Sequence, residues 1–196
     1  EFESLQFIRS AGAWDPQGNR FVFGGISKGR PILTILEGEK IVQEIPFKDL
    51  SAIYSPTWSP DGRYIAFSGL GGGKTDLYIY DLGAKSLRHV TDDLFADLQP
   101  AWSPDGRSIA YVSYPEAKLW RADADGGNAR QLVQAPIDMK GATWSPDNRW
   151  IAFASRLEGE RSKIFLVPAD GSGPPRSISS EDKEQGTPSW SPDGRQ

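Results

Sequence analysis

One phrase, repeated along the chain, limits what this sequence can fold into more than any other feature. It reads AWDPQGNRFVF at 13–23, TWSPDGRYIAF at 57–67, AWSPDGRSIAY at 101–111, TWSPDNRWIAF at 143–153 and SWSPDGRQ at 189–196. The leading residues Trp14, Trp58, Trp102, Trp144 and Trp190 follow one another at intervals of 44, 44, 42 and 46. A period of this size marks a unit that cannot bury its own apolar face and must stack on its neighbours. Within each copy a short extended stretch ends in Trp, and Ser-Pro-Asp-Gly then turns the chain. Pro presets φ, Asp bonds backbone N–H groups inside the turn, and Gly supplies φ > 0. The turn pairs are Asp61-Gly62, Asp105-Gly106 and Asp193-Gly194, with Asn148 after Asp147 in the fourth copy. Asn tolerates the left-handed region, so that turn is expected to survive.

A second strand follows each turn, as at 63–67, where Ile65 and Phe67 fall on one face at period two. Third strands are expected at 77–81, 119–122 and 163–167, and fourth strands at 87–91, 130–133 and 176–179. Four short strands per unit of about 44 residues are the signature of a β-propeller blade. The repeated Trp is read as blade-to-blade core. Blades are expected at about 11–49, 55–95, 99–136 and 141–180, with a partial repeat at 187–196, as one all-β domain over 1–196. Four blades and a stub leave a ring to be completed by oligomerisation or by further sequence.

Composition agrees with this reading and removes other classes. The 21 Gly and 15 Pro are too many for a helical bundle, and 11% aromatic residues are too many for a disordered chain. A net charge of −4 argues against a nucleic-acid partner. No apolar run reaches the roughly 20 residues that cross a bilayer as a helix, so no membrane insertion is expected. The absence of Cys excludes disulfides and thiolate chemistry. The chain starts at Glu1 with no signal peptide ahead of it, which reads as a mature form, an engineered piece or a fragment.

The phrase W-S-P-D-G-R-x-I-A-F at this period resembles the TolB-type propeller repeat, also seen in tricorn-like and prolyl-oligopeptidase-type propellers and in bacterial envelope sensors. The resemblance covers about 11–196. The first copy departs from it at Asp15 and Gln17, and the fourth at Asn148. It implies six blades in a complete ring and a periplasmic or extracellular setting.

Three motifs invite a chemical reading and each has a plainer one. Gly25-Ile26-Ser27-Lys28-Gly29 matches a nucleophile elbow, but the residues after it read as a strand where the elbow needs a helix. SGLGGGKT at 68–75 misses a phosphate-binding loop by its first residue and also runs into a strand. Asp123-Ala124-Asp125-Gly126 starts like a calcium loop, yet the twelfth position, which needs a bidentate acid, is Gln134. His89 is the only histidine and sits in an expected outer strand. No catalytic residue, no metal site and no cofactor is therefore assigned.

Charge placement is more informative. The connections from each outer strand to the next inner strand converge on one face of a propeller. They span about 48–55, 91–99, 134–141 and 180–187, and hold Asp49, Asp92, Asp93, Asp97, Asp138, Glu181, Asp182 and Glu184. Lys48, Lys140 and Lys183 oppose them. Such loops would focus a negative potential on a basic partner segment, or simply keep a β protein soluble. The function expected is a non-enzymatic scaffold of the bacterial envelope type that binds a protein or peptide. Two alternatives stand beside it: an assembly element that completes a ring by self-association, and the gating propeller of a serine peptidase.

Overall fold

The computed structural model describes residues 4–5, 12–134, 138–156, 161–179 and 185–196. All regular structure among them is β, and no helix occurs there. The strands form four sheets, each a consecutive antiparallel run. In the first, β1 (Ser4–Leu5) and β2 (Ala13–Trp14) pair along the same edge of β3 (Arg20–Ser27), which is followed by β4 (Arg30–Glu37) and β5 (Lys40–Pro46). The second runs β6 (Ala52–Trp58), β7 (Tyr64–Gly71), β8 (Lys74–Asp81) and β9 (Ser86–His89). The third runs β10 (Ala96–Trp102), β11 (Ser108–Tyr114), β12 (Lys118–Asp123) and β13 (Arg130–Gln134). The fourth runs β14 (Asp138–Trp144), β15 (Trp150–Arg156), β16 (Lys163–Pro168) and β17 (Arg176–Ser177). These are the four blades expected from the repeat, with strand ends shifted by a few residues. Two compact units result, Glu1–Pro100 and Ala101–Gln196, divided within β10.

The second strand of each blade is buried on both faces, as in β7, where residues 65–69 are all buried. The last strand lies at the sheet edge and is exposed along its whole length in β9. Each unit has its own core. Val22, Leu33, Ile35, Ile53, Ile65 and Phe67 anchor the first, and Val112, Leu119, Met139, Ile151 and Phe153 the second.

The turn explains why the phrase repeats. Ser59 Oγ donates to Asp61 Oδ1 at 2.5 Å and accepts the Tyr64 N–H at 2.8 Å, while Asp61 Oδ1 also accepts the Arg63 N–H at 3.0 Å. The same three bonds recur around Ser103 and Asp105, around Ser145 and Asp147, and around Ser191 and Asp193. The partial fifth copy thus closes its turn fully. The residue after each Asp takes positive φ: 68° at Gly62, 70° at Gly106, 61° at Asn148 and 69° at Gly194. Asn148 keeps the turn as expected, because its short polar side chain is among the few that the left-handed region accepts.

Tryptophan docks one blade on the one before it within each unit. Trp58 Nε1 donates to the Ala13 carbonyl at 3.1 Å in the first unit, and Trp144 Nε1 to the Ala101 carbonyl at 3.0 Å in the second. Trp190 repeats the contact on the Thr143 carbonyl at 3.3 Å. Trp58 and Trp144 are buried, as a blade-to-blade core role requires, whereas Trp14 is 62% exposed and departs from that expectation.

Candidate functional site

The end of the second blade brings acidic side chains together. Asp76 and Tyr78 are two apart in β8 and so share a face. Tyr78 lies opposite His89 in the ladder, and the two rings stack 4.5 Å apart at 2°. That register delivers His89 Nε2 to Asp76 Oδ2 at 3.0 Å. Beyond β9, Thr91 Oγ1 accepts the Leu77 N–H at 3.0 Å and holds the departing chain against β8. Asp93 Oδ1 then accepts the Phe95 N–H at 2.8 Å and turns the chain into β10. Asp97, at the start of that strand, is completely buried.

One carboxylate oxygen from each of Asp76, Asp93 and Asp97 lies within 4.8 Å of the other two. Asp76 is only 2% exposed, and its Oδ1 is buried with no hydrogen-bond partner. Among the described residues, these three form the group that could hold a metal ion. Asp49 and Asp92 border the same end and are exposed; Lys74 Nζ meets Asp92 at 3.2 Å. The field of this end reaches Tyr78: burial, then the charges of Asp76, Asp92 and Asp49, push its hydroxyl above the ordinary tyrosine value. Leu94, between the acids, is 90% exposed.

Of the acids singled out in the sequence, Asp49, Asp92, Asp93 and Asp97 thus collect at one end of the first unit. Asp97 lies in a strand and not in a loop, because the inner strand starts earlier than the phrase suggests. Asp138 also lies in a strand, β14, where Lys140 Nζ pairs with it at 3.0 Å. It lines a cavity of about 320 Å³ in the second unit together with Lys140, Arg156 and Gln185, so two cations outweigh the one carboxylate there. Glu181, Asp182 and Glu184 lie outside the described residues. Sequence reasoning did not single out Asp76, or Tyr78 as the platform for His89. The available signal was the period-two spacing of Asp76 and Tyr78 ahead of an outer strand carrying the only His.

The plainer readings of the motifs hold. Lys28 and Gly29 join β3 to β4, and Gly72 and Gly73 join β7 to β8, each pair with positive φ at both positions. That is the two-residue hairpin turn matched to strand twist, with no helix to expose a nucleophile or cradle a phosphate. Asp123 accepts the Gly126 N–H through its carbonyl at 2.9 Å, and Asp125 Oδ1 accepts the Gly127 N–H at 2.8 Å, which makes 123–127 a turn. Asp76 and His89 resemble the orienting half of an acid–base relay, but no hydroxyl is bonded to His89 among the described residues.

No curated protein sequence matches the chain significantly. Solved structures do. TolB from Acinetobacter baumannii aligns with a TM-score of 0.74 at 23% identity, over 94% of this chain and 46% of that one. A putative TolB from Agrobacterium tumefaciens aligns with a TM-score of 0.77 at 26% identity, over 94% and 66%. An oligogalacturonate lyase from Vibrio parahaemolyticus shares the fold with a TM-score of 0.64 at 15% identity, over 92% and 54%. The chain therefore spans less than two thirds of each of these structures. Residues 48–196 match the model of the TolB beta propeller domain, so with its WSPDG turns, docking tryptophans and four-stranded blades the chain belongs to the TolB β-propeller domain family.

Proposed function

We propose that the chain is a non-enzymatic protein- or peptide-binding propeller scaffold of the bacterial cell envelope. Its partner would present a basic segment to the acidic end of the first unit. The observation that carries this reading is the exposure there of Asp49, Asp92 and Asp93, together with that of Leu94. Carboxylates steer a basic segment and set its register. An exposed leucine adds apolar surface, and burying it against a partner contributes about 1.5–3 kcal/mol. Family membership supports the scaffold class and an envelope setting.

The test is a fluorescein-labelled peptide alternating Lys with Leu, measured by anisotropy in the presence of EDTA. The Asp49→Asn/Asp92→Asn double variant should bind it about tenfold more weakly and with a shallower salt dependence. Equal affinity in both proteins overturns the reading.

A second reading, self-association that completes a ring, is favoured by Trp14. Its counterparts Trp58 and Trp144 are buried against a preceding blade, while Trp14 offers the same indole to solvent. Light scattering over a dilution series should then give a dimer mass that falls to the monomer in Trp14→Ala. A monomer at every concentration removes this reading.

A further inference from the structure

We propose that the cavity of the second unit is a binding site for a small hydroxylated monocarboxylate. Its volume of about 320 Å³ is in the range of small-molecule sites. That is room for roughly ten waters at about 30 Å³ each, and more than a bare inorganic anion fills.

Strands β14 and β15 place its charges. Asp138 and Lys140 are two apart in β14, and Arg156 stands opposite Asp138 in β15, so the three share one face of the sheet. Lys140 Nζ takes the Asp138 carboxylate at 3.0 Å. No carboxylate among the described residues pairs with Arg156. The one positive charge in excess therefore stands on a guanidinium. That group is a planar fork, and it fits a carboxylate through two parallel hydrogen bonds. A single excess charge also matches a monoanion. A phosphate group brings up to about two negative charges, and its usual cradle is a helix N-terminus. No helix occurs among the described residues.

The remaining wall suits hydroxyl groups on the ligand. Ser162 and Thr187 bring hydroxyls and Gln185 an amide, all of which both donate and accept. This wall is fixed in place. The Gln185 N–H donates to the Ser162 carbonyl at 2.9 Å, and Trp190 docks on the Thr143 carbonyl a few residues later. Gly141, at φ 63°, lets Thr187 come close: a Cβ at 141 would collide with the Thr187 side chain.

The proposal concerns the second unit and does not rest on the partner reading, which concerns the first. Its test uses the full chain and sodium gluconate in isothermal titration calorimetry. Sorbitol serves as the uncharged counterpart and inorganic phosphate as the competing oxyanion. Gluconate should bind saturably at one site, at least about tenfold more tightly than either. Arg156→Gln, at an exposed strand end, should keep the Tm and weaken gluconate about tenfold or more. Arg156→Lys keeps the charge without the fork and should restore only part of the affinity. Asp138→Asn should instead tighten gluconate about threefold, because it removes the negative charge beside the anion. That opposite sign separates a lost site from a lost fold. Arg149→Gln, past the other end of β15 and roughly 20 Å away, should stay within about twofold.

Absence of saturable gluconate binding overturns the proposal, as does equal affinity in Arg156→Gln or an equal loss in Arg149→Gln. Sorbitol or phosphate binding as tightly as gluconate overturns it too, since the carboxylate would then not be what the cavity selects. Asp49→Asn/Asp92→Asn should bind gluconate as the parent chain does, so the two readings can fail separately.

Discussion

The first two repeats carry the same phrase and put its parts in opposite states. Trp58 is 5% exposed, gives its indole N–H to Ala13, and lies under the Arg20 guanidinium at 4.5 Å. Trp14 is 62% exposed, with Phe21 as its ring neighbour at 5.2 Å. The turns differ too. In the second repeat two side chains, Ser59 and Asp61, share the work of closing the turn. In the first, Asp15 does it alone: Oδ1 accepts the N–H groups of Asn19 and Arg20 at 2.8 and 3.0 Å, and Oδ2 takes Arg20 Nε at 2.9 Å. A repeat therefore transmits a geometry and not a residue list. What a tryptophan contributes depends on what its indole packs against, as the burial of Trp58 and the exposure of Trp14 show.

The largest effect expected is at Trp58. Trp58→Ala leaves a cavity against the first blade and should cost about 3–5 kcal/mol in urea unfolding followed by far-UV circular dichroism. Trp14→Ala, made at the same repeat position, should stay within about 0.5 kcal/mol. Similar losses at both positions would break the comparison.

A smaller effect separates the two turns by pH. Burial alone would raise the Asp15 pKa, but the bonds from Arg20 and Asn19 and the Arg20 charge outweigh it and hold the carboxyl below its ordinary value. Ionised Asp15 therefore stabilises the fold at pH values above the unfolded pKa, about 3.9. That contribution is lost as the pH falls through the lower folded value. Asp15→Asn should lower the Tm at pH 7 and flatten its fall below about pH 4. The slope should not vanish, because Asp61, Asp105 and Asp147 are also held below their ordinary values. An unchanged acid slope would show that the charge of Asp15 does not hold the first turn.

Blades, turns and hairpins were legible in the chain because each is a local decision. Pro, Asp and Gly set the backbone of the turn within a few residues, and alternation sets the strand that follows. The candidate site was legible only in part. Asp92 and Asp93 stand in a connection that any propeller places at a blade end. Asp97 reads as another loop acid until the inner strand is seen to begin at Ala96 and bury it. Asp76 gives no sign in the sequence of meeting them, since it sits mid-strand and more than a dozen residues before either.

The sequence by itself determined a blade architecture, its period and the position of each turn, because those follow from spacing and backbone preference. Tertiary structure alone decided which acids face one another, which tryptophan is buried, and that the only histidine serves Asp76. Strand register and the path between strands bring distant residues together, and neither is encoded at the residue that depends on it.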